Sequence, residues 1–183
     1  LLENKQQSRL IDLTAAALAE ETASESMAPG GGSIAAYVGA LGVSLGTMVA
    51  NLSAHKPGWD DQWETFSTWA EKGQVYKNSL LYLVDEDTNS FNRIIEAFRL
   101  PKGSSEEKAI RREAVENATK YATEIPFQVM QTAYRSIEVM QAMIEEGLPN
   151  SLSDAGVGVL CARTAVIGAY FNVRINAKDI KDK

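Results

Sequence analysis

Apolar residues recur three and four positions apart over long windows of the chain, while apolar alternation of period two is absent. The pattern predicts helices and no strands. The first helix is expected over Gln7 to Ser24, with Leu10, Leu13, Ala17 and Leu18 on one face, and "MAPGGG" breaks it. A second runs from about Ser33 to Ala54 and stops before Pro57 and Gly58. A long third helix is expected from about Asp60 to Phe98, because Phe66, Trp69, Val75, Leu80, Leu83, Val84, Phe91, Ile94, Ile95 and Phe98 keep a helical spacing. Pro101 and Gly103 end it.

Ser104 followed by Glu107 reads as a capping box opening a long fourth helix that reaches about Glu146, with a kink expected at Pro126. A fifth, capped by Ser153 or Asp154, runs to about Asn176, and the polar tail "KDIKDK" is expected to fray. Short connections between such helices make an all-α, antiparallel up-and-down bundle of about five helices, two of them long. No repeat or linker interrupts it, so residues 1–183 read as a single domain.

Composition narrows the function classes. Hydrophobic residues make up 45% and charged residues 23%, as in an ordinary globular protein. A net charge of -6 argues against nucleic acid as a partner. The single cysteine, Cys161, excludes an intramolecular disulfide and fits a reducing compartment; no leader pattern opens the chain, and a cytoplasmic protein is expected.

The uncharged stretch from Gly30 to Ala54 raises a sharper question. A nucleotide-binding loop would need a preceding strand and a GxGxxG or GxxxxGK[ST] pattern, neither of which is here. A membrane span would carry aromatic and basic flanks and fewer small residues. The stretch reads instead as the fully buried central helix of the bundle, and no membrane is expected as a partner. Gly30, Gly31 and Gly32 at its front admit close approach of a ligand to backbone, and the first-turn N–H groups, with Ser33 as cap, suit a negative or polar group. A plain interhelical turn explains the same residues.

Other polar groups can carry chemistry. In "LVDEDTNSFNRIIEAF", Asp87 shares a helix side with Phe91, Ile94 and Phe98. It is either an inward acid with a raised pKa, suited to proton transfer, or the partner of an arginine; Asp85 and Glu86 are expected on the solvated face. Lys102, Lys108, Arg111 and Arg112 gather around one turn and are the candidate anion site. Asn172 and Asn176 lie four apart in an apolar helix, where amides need partners. His55 sits at a helix end, Cys161 reads as a small core residue, and no residues show metal-ligand spacing.

The segments "PGGGSIAAYVGALGVSLGTMVANL", "LVDEDTNSFNRIIEAFRLPKGSSEEKAIRREA" and "NSLSDAGVG…GAYFNVRIN" stand in the order and spacing of the cyclodeaminase domain of formiminotransferase-cyclodeaminase, which the chain resembles from Met27 to Asp179. The resemblance implies a helical bundle that forms a homodimer or higher oligomer. It implies a folate substrate, 5-formiminotetrahydrofolate, cyclised to 5,10-methenyltetrahydrofolate with release of ammonia, in one-carbon metabolism and histidine degradation, with no cofactor. The family's catalytic aspartate falls on Asp87, with Asp85 as the fallback register. The GGGS turn (Gly30, Gly31, Gly32, Ser33), Lys102, Arg111 and Asp154 fall on folate-binding positions. A formiminotransferase domain has no counterpart here, so a free-standing protein, served by a separate formiminotransferase, is expected. A methenyltetrahydrofolate cyclohydrolase and a non-catalytic folate-binding bundle are the alternatives.

Overall fold

The computed structural model describes residues 9–178 and 180, and among them there is no strand. A short 3-10 turn, Leu10–Asp12, precedes α1 (Ala15–Ala23); α2 (Gly31–Ala54), α3 (Trp63–Arg99), α4 (Ser105–Glu145) and α5 (Leu152–Ala177) follow, with a second 3-10 turn at Pro149–Ser151. The all-helical bundle is as expected, and α3 and α4 are its two long members.

The first helix starts later than its apolar spacing suggests. Thr14 is extended and its Oγ1 accepts the Ala17 N–H at 3.1 Å, so the side chain caps α1 and separates it from the turn before it. Gln7 and Ser8 lie outside the described residues, as do residues 179 and 181–183 of the tail. The box at α4 forms as read: Ser104 accepts the Glu107 N–H, and Glu107 reaches back to the Ser104 N–H. The start of α5 is a correction. Neither Ser153 nor Asp154 caps it; the helix grows out of the Pro149–Ser151 turn, with Ser151 at the cap position and no side-chain bond.

α2 packs against α3, α4 and α5 and forms the centre of the bundle. Glycine makes this possible against α5, because a Cβ on Gly42 would stand 2.8 Å from both Cys161 Cβ and the Gly158 carbonyl oxygen. The helices run antiparallel, Gly31 beside Asn172 and Gly39 beside Ala165. Around them Val43, Leu80, Val84, Ile125, Val129, Val139 and Met140 are almost fully buried. Each such side chain contributes about 1.5–3 kcal/mol on leaving water.

One expectation of burial needs correction. α2 is not enclosed all round: Leu41, Met48 and Leu52 are exposed. On α3, Val75, Phe91 and Phe98 are also exposed. By length and apolarity alone, Gly31–Ala54 and Pro149–Ala177 could each cross a membrane; the first is mostly buried in the bundle and the second mostly is not.

Candidate active site

The three consecutive acids of α3 each tie down a different part of the molecule. Asp85 Oδ1 accepts the Leu10 N–H at 2.6 Å, pinning the N-terminal turn, and burial raises its pKa against that bond. Glu86 turns away from solvent, contrary to expectation, and accepts from Tyr121 of α4 and from Asn89. The Tyr121 hydrogen bond is the main reason its carboxyl lies below the usual range, and the Tyr121 hydroxyl is pushed up to about 12 by the same bond. A one-residue step along a helix turns a side chain by roughly 100°, which explains why the three point apart.

Asp87 faces the glycine turn. Its Oδ2 accepts the Ser33 hydroxyl at 2.9 Å, and Ser33 Oγ lies 3.3 Å from Thr88 Oγ1. Ser33 is therefore not the cap of α2. Gly30 holds that position, in an extended conformation, and Ser33 stands in the first turn with its side chain spent on Asp87. Gly32 makes room: a Cβ there would overlap the carboxylate, 2.6 Å from Cγ. Burial pushes the Asp87 carboxyl above the usual carboxylate range, against hydrogen bonds from the Ser33 side chain and backbone that favour the charged form. No arginine pairs with it in any described contact.

Gly30, Gly31, Gly32, Asp87, Phe91, Ile94, Asn172 and Asn176 line a cavity of about 220 Å³. A second, of about 530 Å³, is lined by Ile94, Phe98, Lys108, Arg111, Arg112 and Asn176. Ile94 and Asn176 belong to both, so the two adjoin. This accounts for the exposed aromatics of α3, since the row from Asp87 to Phe98 lines cavities instead of the core. Arg111 is held in place there, its Nε donating to the Phe98 carbonyl at 3.2 Å and its guanidinium 5.4 Å from the Phe98 ring centre.

Two carried-over residues stand elsewhere. Lys102 is exposed in the α3–α4 connection and lines neither cavity. Asp154 sits in the first turn of α5, roughly 27 Å before Asn172 along the helix axis, and within one chain it does not meet Asp87. Asp85 borders a different cavity, of about 660 Å³, between the N-terminal turn and α3.

The amides find their partners. Asn172 Nδ2 donates to the Gly168 carbonyl at 2.9 Å, and Asn176 Nδ2 to the Ala122 carbonyl of α4 at 2.6 Å. Ala122 lies four residues before Pro126, inside α4. A proline has no N–H for that carbonyl, and the Asn176 amide takes its place. The signal for this pairing was present in the sequence as a helical proline and a distant asparagine, but nothing in spacing joins Ala122 to a residue 54 positions on.

The arrangement offers a shielded carboxyl of raised pKa, a helix N-terminus, and a neighbouring groove carrying three cations and one carboxylate, Glu116. It can move a proton on a substrate whose other end is anionic. Comparisons with known proteins give the family. Residues 14–183 match the family model described as Formiminotransferase-cyclodeaminase. The chain is 34% identical over 161 residues to a methenyltetrahydrofolate cyclohydrolase of Methylorubrum extorquens, covering 88% of this chain and 77% of that one. It is also 34% identical to the mouse formimidoyltransferase-cyclodeaminase, covering 94% of this chain and 32% of the relative, so it spans about a third of that longer protein. The crystal structure of a formiminotetrahydrofolate cyclodeaminase from Thermotoga maritima superposes with a TM-score of 0.82 at 25% identity, over 94% of this chain and 82% of that one. The chain belongs to the formiminotransferase-cyclodeaminase family.

Proposed function

We propose that the protein is a formiminotetrahydrofolate cyclodeaminase, an ammonia-lyase that closes 5-formiminotetrahydrofolate to 5,10-methenyltetrahydrofolate. The observation that carries this reading is the Asp87 carboxyl, raised in pKa by burial and held by Ser33 in a cavity that opens beside Arg111. In the protonated formimino group, the tethered nitrogen of the folate attacks the formimino carbon and gives up its proton. The departing amine gains that proton and leaves as ammonia, and the positive charge stays on the methenyl bridge. One carboxyl can take the proton from the first nitrogen and pass it to the second. Because attacker and carbon belong to one molecule, holding the folate in a closing conformation supplies much of the remaining acceleration. Arg111, with Lys108 and Arg112, binds the carboxylates of the folate tail, while the glycine turn borders the reacting end.

A methenyltetrahydrofolate cyclohydrolase is the second reading, favoured by the Methylorubrum extorquens relative, most of whose length the chain covers. Incubation with each folate, following methenyl absorbance and ammonia, separates the two. Accelerated ammonia release supports the cyclodeaminase; accelerated loss of the methenyl form without it assigns the hydrolysis.

The same reading places the protein in one-carbon metabolism and histidine breakdown, supplied by a separate formiminotransferase, in the cytoplasm, where its lone cysteine stays reduced. A homodimer completes it. α2 turns Ile34, Val38, Leu41, Leu45, Met48 and Leu52 outward at alternating steps of four and three, and α5 beside it exposes Val157, Leu160, Ile167 and Phe171. Steps of this kind form the seam by which helices pack on helices, and a second copy of the chain is the occupant we assign to it.

A further inference from the structure

We propose that Asn176 grips the substrate at the passage between the two cavities, and that Pro126 orients it for that task; the proposal rests on the folate reading. Inside α4, Pro126 leaves the Ala122 carbonyl without the helical donor that every other residue type would supply. Asn176, reaching across from α5, fills the vacancy with its NH2 group at 2.6 Å. A carboxamide carries its donors on one side and its acceptor on the other. With the NH2 committed to Ala122, Oδ1 is the polar atom left for a ligand, and Asn176 lines both the Asp87 cavity and the arginine groove.

A folate stretched from Asp87 to Arg111 carries a secondary amide N–H between its ring system and its carboxylate tail. That N–H must pass Ile94 and Phe98, where it loses water and requires an acceptor. Asn176 Oδ1 is the acceptor. Asn172, whose NH2 is likewise tied to a backbone carbonyl at 2.9 Å, also lines the smaller cavity. Pro126 is thus a positioning residue: it creates the backbone acceptor that sets Asn176.

Calorimetric titration with 5-formyltetrahydrofolate tests this on the full chain, using Pro126→Ala, Asn176→Ala, the double variant and Asn176→Asp, with turnover measured alongside. Loss of one hydrogen bond weakens binding about five- to tenfold. Each single variant is expected to show that loss with kcat within about twofold, and the double variant to bind no more weakly than Asn176→Ala, because both changes remove one contact. Unchanged affinity in Pro126→Ala, or effects that multiply in the double variant, overturns the proposal. Should Pro126→Ala lose its helical circular dichroism, Asn176→Asp decides: it keeps the shape and the acceptor oxygen but has no N–H for Ala122. Binding as weak as that of Asn176→Ala supports the orientation by Ala122, and wild-type binding overturns it. A wild-type protein that binds no folate brings down the functional reading itself, whereas a binding wild type with indifferent variants brings down this inference alone.

Discussion

The Ser33 hydroxyl, in the first turn of α2, donates to the Asp87 carboxylate of α3 at 2.9 Å, joining two residues 54 apart in sequence. The contact fixes the acid against the open N–H groups of a helix start, where negative charge is favoured. It exists only because Gly32 presents no side chain to the carboxylate. In Gly32→Ala the short, anchored Asp87 side chain must swing away. Turnover is expected to fall at least a hundredfold, the usual scale for a displaced acid–base group, with helical content retained. Steady-state rates and circular dichroism check this together, and an active Gly32→Ala variant would remove the need for that close approach.

Asp87 costs the fold stability at neutral pH. Its folded pKa lies above the unfolded value because burial penalises the charged form. The favourable contribution is therefore complete below the unfolded pKa and is lost as pH rises through the folded one. Asp87→Asn, neutral and of the same shape, is expected to raise Tm by about 2–4 °C at pH 7, the scale of 1 kcal/mol in a chain of this size. The gain should shrink as pH falls from the raised folded pKa to the ordinary carboxylate range. A Tm difference that does not vary with pH would place the carboxyl in open solvent.

On the proposed function, the carboxylate tail of the substrate falls to Arg111 and not to Lys102. Arg111 is anchored on Phe98 and lines the groove beside Asn176, while Lys102 lines neither cavity. Arg111→Ala is expected to raise KM about tenfold with kcat little changed, consistent with loss of a charge-assisted hydrogen bond. Lys102→Ala should stay within about twofold of wild type. KM measured for both variants decides, and the reverse order would move the tail to the α3–α4 connection.

On the proposed dimer, the outward seam of α2 and α5 is the face that a second copy covers. Leu160 and Phe171 are 60% and 59% exposed, large apolar areas to leave in water. The double change Leu160→Glu and Phe171→Glu is expected to convert a dimer to a monomer in light scattering. A wild-type protein that runs as a monomer at high concentration would assign that face to another occupant.

Much of this architecture was legible from local signals. The spacing of apolar residues located five helices, and the Ser104–Glu107 box and the breakers at Pro57, Gly58 and Pro101 located their ends, because those signals act within a turn or two. The start of α5 was misplaced because Ser153 and Asp154 resemble a cap, while the preceding proline already turns the chain into the helix at Ser151. That Phe91 and Phe98 line cavities was not legible, because periodicity reports a shared face and not what covers it. At the site, Asp87 and the glycines were legible as chemistry in an apolar frame. The burial of Glu86 against Tyr121, the separation of Asp154, and the tie between Asn176 and Ala122 depend on which helices meet, information that no single helix carries.

The central claim, that Asp87 moves the proton during ring closure, is tested most directly by ammonia release from 5-formiminotetrahydrofolate by wild type and Asp87→Asn across pH. Wild type is expected to show an acid limb in kcat/KM whose midpoint lies above the usual carboxylate range, in keeping with the raised pKa of Asp87. Asp87→Asn should lose about a thousandfold in rate together with that limb, while still binding the folate. A variant that releases ammonia at the wild-type rate with the acid limb unchanged contradicts the account.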